Sequence, residues 1–258
     1  MPTRLVHLVM DANDRHRLAD FWAAALGWEK DDDDEEPSIA PPGYDYPDPA
    51  ALCICFCAVP EPKTAKNRVH LDLNTRSPEH FAGTVERLLA LGATRADIGQ
   101  GDVSWEVLAD PEGNEFCVLP PRAGGYEEVG LVNGVVTDCA DPAASAAFWQ
   151  LATGLDRVEE GPGAIVLRSP AKTGPYVYLL KNPDAKTVKN RMHLDVAPEP
   201  GEDHARAVRR LTDAGAALAD VGQGRDVAWT VLTSPEGSEF CVLSPRLPER
   251  PVTCRARG

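Results

Sequence analysis

No stretch of this sequence is both long and apolar. Among its 258 residues, no apolar run approaches the roughly 20 residues that a helix needs to cross a bilayer. The first residues lead into one strand-like segment, LVHLVM, which does not look like the apolar core of a signal peptide. With 43% hydrophobic and 26% charged residues, the chain has enough apolar side chains for packed cores. The sequence therefore predicts a soluble globular protein, which we expect in the cytoplasm.

Positive charge is scarce. The chain has 26 Lys and Arg against 40 Asp and Glu, a net charge of −14 at pH 7, and no basic cluster is expected to offset it locally. Such a chain repels nucleic-acid phosphates and anionic membranes, so we expect no nucleic-acid and no membrane partner. Disulfides are not expected either, because the seven cysteines, three of them in CICFC, occur without an export signal and resemble reduced thiols.

The motifs of several common enzyme classes are missing too. There is no glycine-lysine phosphate loop, the two GQG segments lack the spacing of a dinucleotide fingerprint, and no G-x-S-x-G turn occurs. Cys117 and His70 could form a nucleophilic pair, but their spacing is not typical of one. The sequence gives no indication of a phosphate or nucleotide cofactor.

What the sequence does contain is an internal repeat. KNRVHLD at Lys66–Asp72 returns as KNRMHLD at Lys189–Asp195, and DVSWEVLADPEGNEFCVLPP returns as DVAWTVLTSPEGSEFCVLSP. The earlier DANDRHRLADFWAAALGWE matches DCADPAASAAFWQLATGLD. The repeat predicts a tandem duplication with one domain at residues 1–122 and a second at 127–248, joined near PPRAGGYEE.

Each copy contains a smaller unit twice. A strand from about residue 4 to 10 precedes a helix closed by Gly27 as a left-handed cap, and three strand-like stretches complete the first unit. The second unit opens with the strand at 68–73, continues with a helix capped by Ser77 with Pro78 in its first turn, and again ends in three strands. The pattern predicts an α+β fold of four βαβββ units with curved sheets.

The repeated strand alternates between apolar and polar residues. Val69, Leu71 and Leu73 point to one face of the sheet, where they can pack under helices. The other face receives Arg68, His70, Asp72 and Asn74. A buried unpaired charge costs several kcal/mol, so this face must meet water, a polar network or a ligand. The last strand adds Glu115 and Cys117 to the same side, and the second copy repeats the set with Arg191, His193, Asp195, Glu239 and Cys241.

These segments carry a family resemblance. FWAAALGWE, the strand HLDL and the turn DPEGNEF resemble the vicinal oxygen chelate superfamily, which includes glyoxalase I, bleomycin-resistance and fosfomycin-resistance proteins and extradiol dioxygenases. More narrowly, they resemble the actinobacterial type of glyoxalase-like domain. The resemblance covers nearly the whole chain twice and implies two tandem glyoxalase-like domains with cup-shaped sheets.

The resemblance also implies where a metal ion would bind. Metal-dependent members take ligands from the first and last strands of two paired units. In the first copy these positions hold His7, Cys55 or Cys57, His70 and Cys117, with Glu115 two residues before Cys117 on the same face. In the second copy they hold Gly134, Tyr178 or Leu180, His193 and Cys241, which are too few credible ligands. A divalent Zn, Fe, Ni or Mn ion, if bound, is therefore expected in the first copy, held by His7, His70 and either Cys117 or Glu115.

Structural roles compete with these assignments. His70 and His193 occur in both copies, including the one without a plausible metal site, and this favours an Arg-His-Asp hydrogen-bonded network. Glu115 could likewise pair with Arg68, and Glu239 with Arg191.

Two functions remain in view. The first is binding of a small organic molecule in a polar-lined cup, including antibiotic or other natural-product binding or resistance. The residues expected to contact this ligand are Arg68, His70, Asp72, Trp105, Arg191, His193, Asp195 and Glu239. The alternative is a metal-dependent lyase, isomerase or dioxygenase, with Glu115 as the first candidate for a catalytic base and Asp72 and Glu106 as others. The internal duplication favours a monomer over a homodimer.

Overall fold

The computed structural model describes residues 3–31, 36–44, 51–123, 125–223 and 227–244. Within these ranges the chain forms sixteen strands and five helices. None of the described helices is both long and apolar enough to cross a membrane.

The elements follow the predicted order of four strand-helix-three-strand units. The first unit contains β1 (Thr3–Ala12), α1 (Arg15–Leu26), β2 (Glu29–Asp31), β3 (Ser38–Ala40) and β4 (Cys53–Ala58). The second contains β5 (Val69–Leu73), α2 (Pro78–Ala90), β6 (Thr94–Arg95), β7 (Glu106–Ala109) and β8 (Glu115–Val118). After the short linking helix α3 (Gly125–Val129), the third contains β9 (Val132–Cys139), α4 (Pro142–Thr153), β10 (Asp156–Gly161), β11 (Ala164–Arg168) and β12 (Tyr176–Lys181). The fourth contains β13 (Met192–Pro198), α5 (His204–Asp213), β14 (Ala217–Leu218), β15 (Trp229–Thr233) and β16 (Glu239–Leu243).

Local capping explains where the helices begin and end. The side chain of Asp14 accepts a hydrogen bond from the Arg17 amide before α1, and Gly27 ends this helix at φ 67°, a conformation that suits glycine. Ser77 accepts from the His80 amide before α2, with Pro78 in the first turn. The predicted caps at Gly27 and Ser77 are therefore confirmed.

The strands form two eight-stranded sheets within the described residues, and each sheet takes one unit from each copy. The first sheet has the order β14-β15-β16-β13-β1-β4-β3-β2, and the second has the order β10-β11-β12-β9-β5-β8-β7-β6. The central pairs are antiparallel: β1 lies beside β13, and β5 lies beside β9. The two units of one copy therefore do not share a sheet, although the predicted domain boundaries themselves stay a prediction.

The apolar faces of both sheets and the helices share one continuous hydrophobic core. Trp22 of α1 is fully buried, packs against Phe116 of β8 at 5.0 Å between ring centroids, and donates its indole N–H to Asp110. Trp149 of α4 makes the matching contact with Phe240 of β16 at 5.4 Å. Alternation thus places the apolar residues of the main core as predicted, and the opposite face of the first sheet combines polar side chains with two smaller apolar clusters.

Candidate functional site

The polar face of the first sheet carries a buried cluster, which we call the first cup and define by His7, Cys53, Cys55, His193, Asp195 and Cys241. Strand pairing creates it. His7 lies opposite Asp195 across β1 and β13, Asp195 lies opposite Cys241 across β13 and β16, and His7 lies beside Cys53 across β1 and β4. The cluster therefore takes residues from both copies of the repeat.

Asp195 connects the two histidines of the first cup. Its Oδ2 lies 3.7 Å from His7 Nδ1, and its Oδ1 lies 3.4 Å from His193 Nε2. The same His193 nitrogen lies 3.5 Å from the Cys241 sulfur. Asp195 is 1% exposed and His7 is 2% exposed, so their electrostatic interactions are little screened by water.

In the first cup, His7 and Asp195 each favour their charged form. Burial by itself lowers the pKa of His7, but Cys55 and Asp195 oppose burial and raise that pKa to about 9. Burial raises the pKa of Asp195, but contacts with His193 and His7 outweigh it and lower that pKa overall. At neutral pH the pair is therefore an imidazolium beside a carboxylate.

One nitrogen of this cup, His193 Nδ1, is buried and has no hydrogen-bond partner among the described residues. Such an atom is costly to leave unpaired and suggests a ligand or an ion. The ligand atoms of His7, Cys53 and Cys55 lie within 4.8 Å of one another, and so do those of His193, Asp195 and Cys241. Imidazole, thiolate and carboxylate are the groups that bind zinc and iron in proteins, so this donor set fits a divalent metal ion.

The polar face of the second sheet carries a related cluster, the second cup, defined by His70, Asp72, Cys117, Asn133 and Tyr178. His70 Nε2 lies 3.5 Å from Asp72 Oδ1, and the Asn133 side-chain amide donates to the Tyr178 hydroxyl at 2.9 Å. Burial lowers the pKa of His70 to about 4 and raises the pKa of Asp72 to about 7, although Cys117 and Arg122 act against the second shift. At neutral pH the His70 imidazole is therefore neutral, in contrast to that of His7.

Gly134 explains why the second cup lacks a ligand on its central strand β9. It stands where His7 stands in β1, and a Cβ atom here would lie 2.3 Å from the Tyr176 carbonyl oxygen and 2.9 Å from the Tyr178 ring. Any side chain at this position would overlap the neighbouring strand.

The structure does not bring together the metal ligands predicted for the first copy. His7 lies in the first sheet, whereas His70 and Cys117 lie in the second. The predicted grouping is wrong because β1 forms its hydrogen bonds with β13 and not with β5. His7 contacts Asp195 instead, and Asp195 in turn contacts His193, so the second copy supplies side chains that the sequence analysis had assigned to a site with too few ligands.

The two glutamates at the starts of β8 and β16 have other partners than predicted. Glu115 accepts from Lys63 Nζ at 2.7 Å and from the Asn67 amide at 3.1 Å. Glu239 accepts from Lys186 Nζ at 2.6 Å and from the Asn190 amide at 3.3 Å. The predicted pairs with Arg68 and Arg191 are therefore wrong. The catalytic role of Glu115 stays a prediction, and its carboxylate contacts the loop that contains Lys63 and Asn67.

The side chains of Arg68 and Arg191 lie outside the two cups, and each contacts residues of the other copy of the repeat. Arg68 donates to the Asp184 carbonyl at 2.6 Å, and Arg191 donates to the Glu61 carbonyl and the Glu112 carboxylate, both at 2.7 Å. Of the predicted Arg-His-Asp network, the contact between histidine and aspartate is present in both copies, and the arginine is bonded elsewhere.

The remaining predicted candidates lie near β7. Trp105 is 39% exposed just before this strand, and Glu106 pairs with Arg95.

Comparison with known proteins agrees with this architecture. The family model of the glyoxalase-like domain matches residues 7–119 and 134–243, and the chain belongs to this family. No protein of curated function matches the chain. Glyoxalase I from Zea mays is 13% identical with a TM-score of 0.61, over 94% of this chain and 92% of that one. A provisionally assigned dioxygenase from Bacillus subtilis is 14% identical with a TM-score of 0.61, over 94% of this chain and 85% of that one.

A shorter structural relative is matched over less than half of this chain. A glyoxalase/bleomycin resistance protein from Albidiferax ferrireducens is 21% identical over 46% of this chain and 98% of that one, with a TM-score of 0.35. The fold is that of the vicinal oxygen chelate superfamily, and the tandem arrangement predicted from the sequence is confirmed.

Proposed function

We propose that the protein binds a small oxygen-bearing organic molecule in the first cup, at a divalent metal ion held by His7, His193 and Asp195 with a thiolate of Cys55 or Cys241. The observation that carries this proposal is the position of Asp195, which contacts His7 of the first copy and His193 of the second and so joins the group of His7, Cys53 and Cys55 to the group of His193, Asp195 and Cys241. The proposal keeps the small-molecule function expected from the sequence, including natural-product binding, and moves the metal to a site shared between the copies.

The residues of the cup would each have a part in binding. When bound, the ion would polarise an oxygen of the organic molecule and stabilise negative charge there. Asp195 contacts both imidazoles and so fixes their orientation. His7 must release its proton to become a ligand, so the metal competes with a proton that Cys55 and Asp195 favour.

Metal analysis with three variants tests the site. We expect stoichiometric Zn²⁺ or Fe²⁺ in the dialysed wild type, or after titration with these ions, and loss of binding in His7→Ala and His193→Ala. His70→Ala is the matched control, because it removes a histidine from the corresponding strand of the second cup and should leave metal binding intact. A wild type that binds neither ion, or a loss caused by His70→Ala alone, contradicts the proposal.

A second function, a metal-dependent dioxygenase, is favoured by one specific observation. Two histidines and one carboxylate, His7, His193 and Asp195, form the kind of ligand set that non-haem Fe²⁺ oxygenases use. Oxygen uptake by the Fe²⁺-loaded protein with catechol as probe, absent in His193→Ala, would support this function. Metal binding without uptake of oxygen would favour binding alone.

A further inference from the structure

A separate cleft of about 570 Å³ lies where segments of the two copies face each other. Its walls are two loops with the common pattern K-T-x-K-N-R, at residues 63–68 and 186–191. The volume falls within the range of about 300–1,000 Å³ that is usual for small-molecule sites. Among the described residues that line this cleft, none belongs to the clusters that define the two cups.

Cationic side chains from both copies lie together in this cleft. The described residues that line it include six basic side chains, Lys63, Lys66, Arg68, Lys186, Lys189 and Arg191, against four acidic ones, Asp11, Glu61, Asp138 and Asp184. Folding brings these cations together from two loops that are distant in sequence, and five of the six pair with carboxylates of the protein.

The lysines are held in place by ion pairs that repeat across a pseudo-two-fold axis. Lys63 pairs with Glu115 as Lys186 pairs with Glu239, and Lys66 pairs with Asp138 as Lys189 pairs with Asp11. An ammonium group has three N–H donors, so one carboxylate contact leaves donors available for a ligand. The ion pairs fix the positions of the cations in advance, and this lowers the entropy cost of binding.

Several nitrogen donors of the cleft are not satisfied by the protein. Arg68 has no carboxylate partner among the described residues, and its guanidinium donates only to the carbonyls of Asp184 and Asp138. Arg191 and Asn190 are buried, at 9% and 6% exposure. Arg191 Nε and Asn190 Nδ2 have no hydrogen-bond partner among the described residues. Buried N–H groups of this kind require an acceptor, and the cleft that they line is where a ligand could provide one.

We propose that this cleft binds a small organic molecule that carries two oxyanion groups, either phosphate or carboxylate, with one group facing each loop. Arginine and lysine are the side chains that recognise both groups, arginine through paired N–H donors and lysine as a point charge. The two-fold arrangement of the cations suits two anionic groups better than one. Arg68 and Arg191, which the sequence assigned to a ligand in the cups, would contact this second ligand instead.

Calorimetric titration of the full chain with inorganic pyrophosphate and with succinate tests the proposal. We expect saturable binding of at least one of them at low ionic strength, weakened by added salt. Arg68→Gln should lower the affinity by about tenfold or more, the effect expected for losing one charge-assisted contact. Arg95→Gln is the matched control, because Arg95 pairs with Glu106 at the surface and does not line the cleft.

The two probes distinguish the two anion classes. Preference for pyrophosphate assigns a phosphate-bearing ligand, and preference for succinate assigns a dicarboxylate. Lys66→Gln provides a second variant, since Lys66 is exposed, and thermal unfolding of each variant verifies that it is folded. Absence of saturable binding of either probe at millimolar concentration, or equal affinity in the folded Arg68→Gln, Lys66→Gln and wild-type proteins, overturns the proposal.

Discussion

Asp72 is a partly buried carboxylic acid whose pKa the fold has moved into the physiological range. It lies on the polar face of β5 beside a neutral histidine, and burial raises its pKa from 3.8 to about 7. Asp195, its counterpart in β13, keeps its charge because two histidines contact it. Equivalent aspartates in the two copies of the strand therefore have pKa values shifted in opposite directions, because their neighbouring side chains differ.

The Asp72 shift predicts a pH dependence of stability. Between about pH 4 and pH 7 the folded state holds a proton that the unfolded chain has released, so the free energy of unfolding falls as pH rises through this window. Asp72→Asn removes this dependence. From about pH 5 to pH 8 we expect the wild type to lose on the order of 2 kcal/mol more than the variant does, measured by urea unfolding.

Asp213→Asn is the control for this experiment, because Asp213 is exposed at the end of α5. It should show the pH slope of the wild type. If Asp72→Asn also shows the wild-type slope, the pKa of Asp72 is not raised in the folded protein.

At the scale of the element, strand β9 depends on the absence of a side chain at Gly134. The backbone of β12 approaches so closely that an added Cβ would meet the Tyr176 carbonyl oxygen at 2.3 Å. Both atoms belong to paired strands, so relief would require the β9 and β12 backbones to separate.

Gly134→Ala should therefore lower the free energy of unfolding by about 2 kcal/mol or more, as overpacking against a fixed backbone does. Denaturant unfolding measures the effect. Gly163→Ala is the matched control, because a Cβ there would meet nothing within 4 Å, and it should change stability by less than about 0.5 kcal/mol. Equal stabilities of the two variants would show that β9 can move away from β12.

The elements were largely predictable from the sequence because their signals are local. The alternation of Val69, Leu71 and Leu73 with His70 and Asp72 fixed which face of β5 is apolar. The CICFC segment followed the same rule, with Ile54 and Phe56 in the main core and Cys53 and Cys55 on the other face. The caps at Asp14 and Ser77 likewise act within a single turn.

The glutamates of the P-E-G turns show where local reasoning ends. The turn was recognised in the sequence within DPEGNEF, but the Glu112 side chain accepts hydrogen bonds from the amides of Asn13 and Asp14, far away in the chain. Glu236 does the same with the amides of Ala140 and Asp141 in the second copy. These contacts fasten the start of each copy to its own last hairpin, and short-range patterns do not encode them.

At the scale of the whole molecule, strand pairing decides which residues meet. KNRVHLD and KNRMHLD are nearly identical, so the sequence of β1 cannot distinguish β5 from β13 as its neighbour. The structure selects β13, and this choice alone moves His7 from the side of His70 to the side of His193. The sequence could therefore indicate which single residues face the polar side of a sheet, but not which of them lie together in one cluster.

Pairing across the copies predicts that the two halves need each other. Residues 1–123 and 124–258, expressed together as separate chains, should form a 1:1 complex, because β1 and β5 each find their partner strand in the other half. Each half alone should aggregate or self-associate. Size-exclusion chromatography with light scattering measures this, with the intact chain, which we expect as a monomer of 27.8 kDa, as the control. A first half that is folded and monomeric by itself would contradict the pairing.

The covalent link between the copies has a consequence for the basic cleft. In a dimer of identical chains, the two walls of such a cleft would be the same, and a ligand with different ends could enter in either direction. Here Arg191 is buried and paired with Glu112, whereas Arg68 is partly exposed and bonded only to carbonyls. The duplicated chain can therefore tell the head of a ligand from its tail, a discrimination that exact symmetry forbids.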